Sequence, residues 1–279
     1  MIMIGKRSIP LAILKVLYLA LWGVITAFPL YWILITSFKD PGAVSTYPIR
    51  YWPSVFSLEN YRTLFDDSDF LVNIRNSFIT ALVAGLVSTF IAMLSGYVLS
   101  KFEFRGKTAL LLCFLVTQMI PAFIALGPLY IMMTHLHQVN TLSGLVLVYV
   151  AMCIPFSAIM LKGFFDNIPT EIEEAAMVDG CNRMQSLVLI VVPVMRPGLI
   201  ASFVFNFVNC WNELFISVTL AQKSSVKTIP ATLNGFISSF DIDWGTLSAA
   251  AVLAIIPSMV LFAFASKHIV AGLTAGAVK

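Results

Sequence analysis

Three groups of side chains in this 279-residue chain have types and spacings that could do chemistry. Asp66, Asp67 and Asp69 could hold a magnesium ion through their carboxylates, and paired acids beside apolar runs would suit an enzyme acting on diphosphate lipids. No second acidic cluster faces them, so a solvated loop is the better account. His135 and His137 stand two residues apart, a spacing that does not align side chains on a helix face, and no third zinc ligand accompanies them. Gly106-Lys107-Thr108 ends like a phosphate-binding loop, yet that pattern needs a glycine where Lys101 stands and a buried strand before it. Cys113, Cys153, Cys181 and Cys210 match no metal spacing and are read as packing residues. No catalytic residue and no metal ligand is assigned.

The most informative polar stretch is Ile168-Pro-Thr-Glu-Ile-Glu-Glu-Ala-Ala-Met-Val-Asp-Gly180, set between two long apolar runs. Inserting those runs in a membrane does not need an acidic helix between them, so the stretch reads as a docking element for another protein. Thr170 can cap its first turn with Glu173 reaching back, and Glu171, Glu173 and Glu174 suit the positive helix end. Gly180 is the expected stop. Helical spacing puts Ile172, Ala175, Ala176 and Asp179 on one face, a narrow ridge of small side chains that a groove could grip, and leaves the remaining face acidic and solvated.

What must position that element is a set of membrane helices. Hydrophobic residues make up 59% of the chain and charged ones 11%, with a mean hydropathy of +0.92. Soluble domains carry about a quarter charged residues, so the apolar surplus belongs against lipid. Runs near the required length of about 20 residues occur at Leu11 to Ser37, Ile74 to Ser100, Ala109 to Met133, Leu142 to Leu161, Leu187 to Phe215 and Leu247 to Ser266. The expected fold class is therefore all-α, a polytopic bundle of about six transmembrane helices.

Basic residues set its orientation. Lys6, Arg7, Lys101, Arg105, Lys107, Lys162, Arg183, Lys267 and Lys279 fall on one side of an alternating six-span arrangement, against Lys39, Arg50, Arg62, Arg75, Lys223 and Lys227 on the other. Both termini and the acidic helix are thus expected in the cytoplasm. The first apolar run is too long for a cleaved signal peptide and is expected to persist as a span. A net charge of +3 leaves no nucleic-acid footprint.

Polar groups within spans are costly and turn toward a bundle interior or a wet cavity. In Phe205-Asn-Phe-Val-Asn-Cys-Trp-Asn-Glu213, the residues Asn206, Asn209 and Glu213 recur at helical spacing, and with Trp211 and Asn212 they combine amides and an aromatic ring that suit a sugar. The same groups could instead bond helix to helix. Gln118, ahead of Pro121, carries the same two readings.

The acidic stretch resembles the EAA loop of importer permeases in the ATP-binding-cassette (ABC) family, through Glu174-Ala175-Ala176, Asp179-Gly180 and the later Ile190-Val-Val-Pro193, where Val192 replaces the usual leucine. The likeness to carbohydrate-importing permeases of the maltose type, smaller membrane subunit, continues through Phe28-Pro-Leu-Tyr31, Thr36-Ser-Phe-Lys39, Asn60-Tyr61, the turn Phe102 to Lys107, Asn140-Thr141 with Gly144, and Trp244-Gly245. The tail Gly272-Leu-Thr-Ala-Gly-Ala-Val-Lys279 is similar to one that reaches into an ATPase dimer.

This resemblance implies one permease domain over 1–279, with a core importer fold about 70–268, a coupling helix at 168–180 and a cytoplasmic tail at 269–279. It implies ATPase coupling through Glu173, Glu174, Ala175, Ala176, Asp179 and Gly180, and ATPase contact through Gly272, Leu273, Thr274, Ala275 and Gly276, the alternative for the tail being a frayed end. It implies a solute path past Gln118, Asn206, Asn209, Trp211, Asn212 and Glu213. The implied partners are a second, homologous permease in a hetero-pair, two ATPase subunits, an extracytoplasmic solute-binding protein and the lipid bilayer of a bacterial or archaeal inner membrane. The chain itself binds no cofactor, ATP and Mg2+ being used by the partner subunits. The rival readings are an intramembrane enzyme acting on a lipid diphosphate and a gradient-driven carrier. Replacing Asp66, Asp67 and Asp69 together by asparagine separates the first rival: an importer keeps its uptake in vesicles, whereas a metal-dependent enzyme loses turnover.

Overall fold

The computed structural model describes the backbone of residues 9–237 and 242–275, and the side chains of 13–237 and 242–266. Its helices are α1 (Ile9–Ser37), α2 (Pro41–Val44), α3 (Glu59–Asp66), α4 (Phe70–Lys101), α5 (Lys107–Met119), α6 (Ala122–His135), α7 (Leu142–Asp166), α8 (Thr170–Val178), α9 (Arg183–Ser186), α10 (Val192–Val194), α11 (Arg196–Trp211), α12 (Phe215–Leu220), α13 (Ile229–Gly235) and α14 (Trp244–Ala275). A π turn, Leu187–Val191, joins α9 to α10. No β-strand occurs among the described residues.

Four helices are long and apolar enough to cross a membrane, namely α1, α4, α7 and α14. The other two expected spans are corrected. Ala109 to Met133 is not one rod: α5 and α6 meet at 101°. Leu187 to Phe215 is likewise broken, the segment Arg183–Val194 turning by 77° into α11. Prolines account for both breaks, because Pro121 and Pro197 lack the N–H that would continue the helix ladder. Counting each bent pair as one span restores six.

The chain divides into two compact units, residues 1–68 with 236–253, and residues 69–235 with 254–279. In the first, the side chains of α1 from Ile13 to Leu30 are exposed, which for leucines, valines and aromatics is the pattern of a lipid-covered helix. Its end is tied down by Asn60, whose amide donates to the carbonyls of Ser37 at 3.0 Å and Lys39 at 2.8 Å. Gly245 is required opposite, since a Cβ there would run into the Asn60 side chain.

In the second unit, α4 is the central column, packed on α7 and α11. Its buried positions Ala81, Ala84, Gly85, Ser88, Ala92 and Gly96 repeat every three or four residues, the small-residue stripe that lets membrane helices approach closely. At Gly96 the approach is tightest, where an added Cβ would stand 2.9 Å from the Lys162 backbone nitrogen and 3.2 Å from the Ala158 carbonyl. Cys153 of α7 and Cys210 of α11 are buried side by side as thiols, their Sγ atoms 3.7 Å apart. Gly96→Leu is expected to force α4 and α7 apart at about 1–3 kcal/mol or more, read as a lower thermal midpoint in detergent. Gly163→Ala, which meets nothing within 4 Å, is expected to leave the midpoint in place.

Candidate functional site

Around the acidic helix α8, the chain makes four attachments to the last turns of α4. Ser100 donates to Asp166 Oδ1 at 2.6 Å, while Lys162 holds the other oxygen of Asp166 at 2.6 Å. The Lys101 ammonium donates to the Ile168 carbonyl at 2.6 Å, fixing the lead-in to α8. The Tyr97 hydroxyl donates to Glu173 Oε2 at 2.8 Å, and Lys101 Nζ lies 3.7 Å from Glu173 Oε1. Beyond α8, the Arg183 guanidinium sits over the Phe102 ring, 4.8 Å from its centre. Apolar packing encloses the same place, with Ala92, Tyr97, Ala158, Leu161, Phe165, Ile168, Leu187 and Val191 in one buried cluster.

Glu173 is therefore no capping residue. It is 4% exposed, and its carboxylate is committed to Tyr97 and Lys101. The expected Thr170 cap is absent: Pro169 occupies the N-cap position, without a side-chain bond. A capping box does form one helix later, where Asn182 Oδ1 accepts from the Gln185 N–H at 2.9 Å and Gln185 Oε1 accepts from the Asn182 N–H at 2.8 Å. Its spacing was present in the sequence as Asn182-Arg-Met-Gln185.

Gly180 stops α8 as expected. At φ 94° it adopts the left-handed conformation, its N–H donating to Met177 and that of Cys181 to Ala176, the paired bonds of a Schellman motif. Ala176 is buried with Glu173, so of the expected ridge Ile172, Ala175 and Asp179 stay exposed and Ala176 does not. Glu171, Glu174, Ala175 and Val178 are exposed and spaced as one helical stripe, with Ile172 exposed at its flank and Asp179 and Gly180 exposed beyond it. Val178, 87% exposed, is an apolar side chain set among acids.

The expected solute-path residues divide. Asn206 is 0% exposed; it accepts from Ser157 at 2.7 Å and donates to Thr89 at 3.1 Å, so its amide joins α11 to α7 and α4. Trp211 is buried, donating to the Ala254 carbonyl at 3.0 Å and stacking on Phe207. Glu213 lies past the end of α11 and does not share a face with Asn206; its carboxylate accepts from the N–H groups of Ile216 and Ser217 at the start of α12. In this structure the three side chains are engaged in interhelical and capping bonds, the second of the two readings the sequence offered for this stretch. Asn209, Asn212 and Gln118 remain exposed, Gln118 beside the break between α5 and α6. Of the expected tail contacts, Gly272, Leu273, Thr274 and Ala275 belong to the backbone of α14, and Gly276 lies outside the described residues.

Sequence reasoning missed Tyr97 and Lys101. Lys101 entered only as an orientation charge, and Tyr97 passed as part of an apolar run. Lys101→Met is expected to strand the Glu173 carboxylate, costing about 3 kcal/mol and speeding amide exchange across residues 170–179. Removing both charges, in Lys101→Met with Glu173→Leu, is expected to restore much of the protection.

Residues 88–274 match the family described as binding-protein-dependent transport system inner membrane component. The diacetylchitobiose uptake system permease protein DasC of Streptomyces coelicolor is 33% identical over 252 residues, covering 90% of this chain and 91% of its own. The trehalose/maltose transport system permease protein MalG of Thermococcus litoralis is 31% identical over 270 residues, 96% of each chain. A solved bacterial ABC transporter involved in the import of the acidic polysaccharide alginate has the same fold, at a TM-score of 0.82 over 95% of this chain and 98% of that one, with 20% identity.

Proposed function

This chain belongs to the binding-protein-dependent transport system inner membrane components, and from that premise we propose that α8 is the seat of a cytoplasmic ATPase. The chain is a multi-pass inner-membrane permease subunit of an ABC importer, not an enzyme. The observation that carries the coupling role is the asymmetry of α8: one face is bonded to α4 through Glu173, and the opposite face, Glu171, Glu174, Ala175 and Val178, is free. A helix anchored on one side and open on the other can pass a push into the membrane without absorbing it.

In this reading, two ATPase subunits close on ATP and Mg2+, α8 follows one of them, and α4 with α7 tilts to open the path outward. Hydrolysis resets the cycle. Glu174, Ala175, Asp179 and Gly180 meet the ATPase; Glu173 and Ala176 act from the inner face by holding α8 on its column. Both termini lie in the cytoplasm, and residues 272–276 reach the ATPases as a second contact. A second, homologous permease completes the path, and an extracytoplasmic binding protein delivers the solute. The solute is a sugar or oligosaccharide, supported by the diacetylchitobiose and trehalose/maltose systems of the relatives.

Reconstituted vesicles with the partner subunits test this directly. Gly180→Val strains a left-handed position, and deletion of 173–179 removes the seat; each is expected to abolish ATP-driven uptake while the chain still inserts. Undiminished uptake in both would refute the coupling role.

A further inference from the structure

At the C-terminal end of α1, within the unit formed by residues 1–68 and 236–253, a lysine is held out of water without a counter-charge. Lys39 is 4% exposed; its carbonyl is tied by the Asn60 amide at 2.8 Å, and its Nζ sits over the Trp32 ring, 4.2 Å from the centre. Among the described residues the ammonium has neither an ion-pair partner nor a hydrogen-bond acceptor. The ring face stabilises one side of it and leaves its N–H donors unmet. Lys39 lines a small concavity with Arg50 and Asp40, whose charges sum to one positive, and Arg50 spends one donor on Ser54 Oγ at 3.0 Å and keeps the rest. The place fits a monoanion.

Trp32 also lines a groove of about 340 Å³ in the same unit, together with Thr36, Trp244, Leu247, Ser248 and Ala251. Leu247 and Ala251 stand one and two turns into the span that starts at Trp244, so the groove runs roughly 10 Å along it, past the headgroup layer and into hydrocarbon. Its walls are apolar apart from two hydroxyls. Thr36 is 5% exposed and its hydroxyl has no partner among the described residues, although in the same helix Thr26 donates back to the Trp22 carbonyl at 2.8 Å and Ser37 to that of Leu34 at 2.7 Å. Around this end of α1 the exposed rings of Tyr51, Trp52 and Trp244 form the aromatic belt of a membrane interface.

We propose that the end of α1 is a binding site for one anionic phospholipid, with its phosphate at Lys39 and Arg50, its ester carbonyls at Thr36 and Ser248, and the start of an acyl chain along Trp32, Leu247 and Ala251. The order of chemistry along the site, cation, then hydroxyl donors, then apolar wall, is the order of a phospholipid from headgroup to tail. A free phosphate matches the cations alone and leaves the groove empty. A soluble partner does not reach two turns into a span, whereas lipid already covers the rest of α1. The bound lipid supplies the counter-charge that Lys39 lacks and pins the end of α1 to its leaflet.

The test uses the complete transporter in a neutral detergent, offered dioleoyl phosphatidylglycerol or dioleoyl phosphatidylcholine, with retained lipid measured by native mass spectrometry. The unmodified complex is expected to hold phosphatidylglycerol in preference to phosphatidylcholine and to keep it in excess sodium phosphate. Lys39→Gln, which removes the charge, and Ala251→Phe, which fills the groove, are each expected to weaken retention about tenfold. Arg62→Gln, an exposed cation outside the site, is expected to leave it unchanged. Equal retention of both lipids, undiminished retention in Lys39→Gln and Ala251→Phe, or an equal loss in Arg62→Gln overturns the proposal, the last by showing general surface attraction; displacement by sodium phosphate overturns it in favour of a free-phosphate site. If the two site variants do not assemble, a phosphatidylglycerol with a photoreactive acyl chain is expected to label residues 32–36 or 244–251 of the unmodified chain and to be competed by unlabelled phosphatidylglycerol but not by phosphatidylcholine. Labelling elsewhere, or equal competition by both lipids, overturns it. Because lipid retention is read rather than uptake, failure here is distinct from failure of the coupling role.

Discussion

A carboxylate removed from water must be paired, and the structure near α8 follows from how Glu173 is paired. Tyr97 and Lys101 both come from the last turns of α4, so one hydrogen bond and one ion pair to the carboxylate tie the rotation of α8 about its axis and its distance from the column. A hydrogen bond to a charged group is worth about 1.5–3 kcal/mol, and removing one partner of a buried pair costs more. That asymmetry makes the attachment stiff. Once Glu173 and Ala176 face inward, Glu171, Glu174, Ala175 and Val178 are left outward, and the surface offered to a partner is decided.

The same ties organise the two ends of the loop. Ser100 with Asp166 and Lys101 with the Ile168 carbonyl secure its entry, while Arg183 over Phe102 secures its exit. Further along α4, the small residues that admit α7 place Gly96 one residue before Tyr97, so the closest helix approach and the polar anchor coincide. In the proposed coupling role, a push on α8 would reach the membrane where α4 and α7 approach closely at Gly96.

Much of this was legible in the residues. The apolar runs located four unbroken spans, and Gly180 announced the end of α8. The exposure of Glu174, Ala175 and Asp179 was also readable, because acids between spans have no role in insertion and stay solvated. The misreadings share one cause: spacing describes neighbours along a helix and is silent about residues 76 positions apart, such as Tyr97 and Glu173. Glu173 looked like a cap because local hydrogen bonding was its nearest visible option, and spacing could not choose between a ligand-facing and an interhelical Asn206 because Ser157 and Thr89 were out of sight. The breaks at Pro121 and Pro197 were partly visible, since proline marks a kink, yet a kink and a right-angle turn are the same letter.

The central claim is that α8 and the end of α4 move as one body when the ATPases act. Spin labels at Glu174→Cys and Val98→Cys in the assembled transporter, with the distance between them measured before and after ATP binding, test it most directly. The account expects the distribution to stay in place while uptake-competent complexes change state; a shift beyond the width of the label's own distribution would show α8 sliding on α4 and would contradict it.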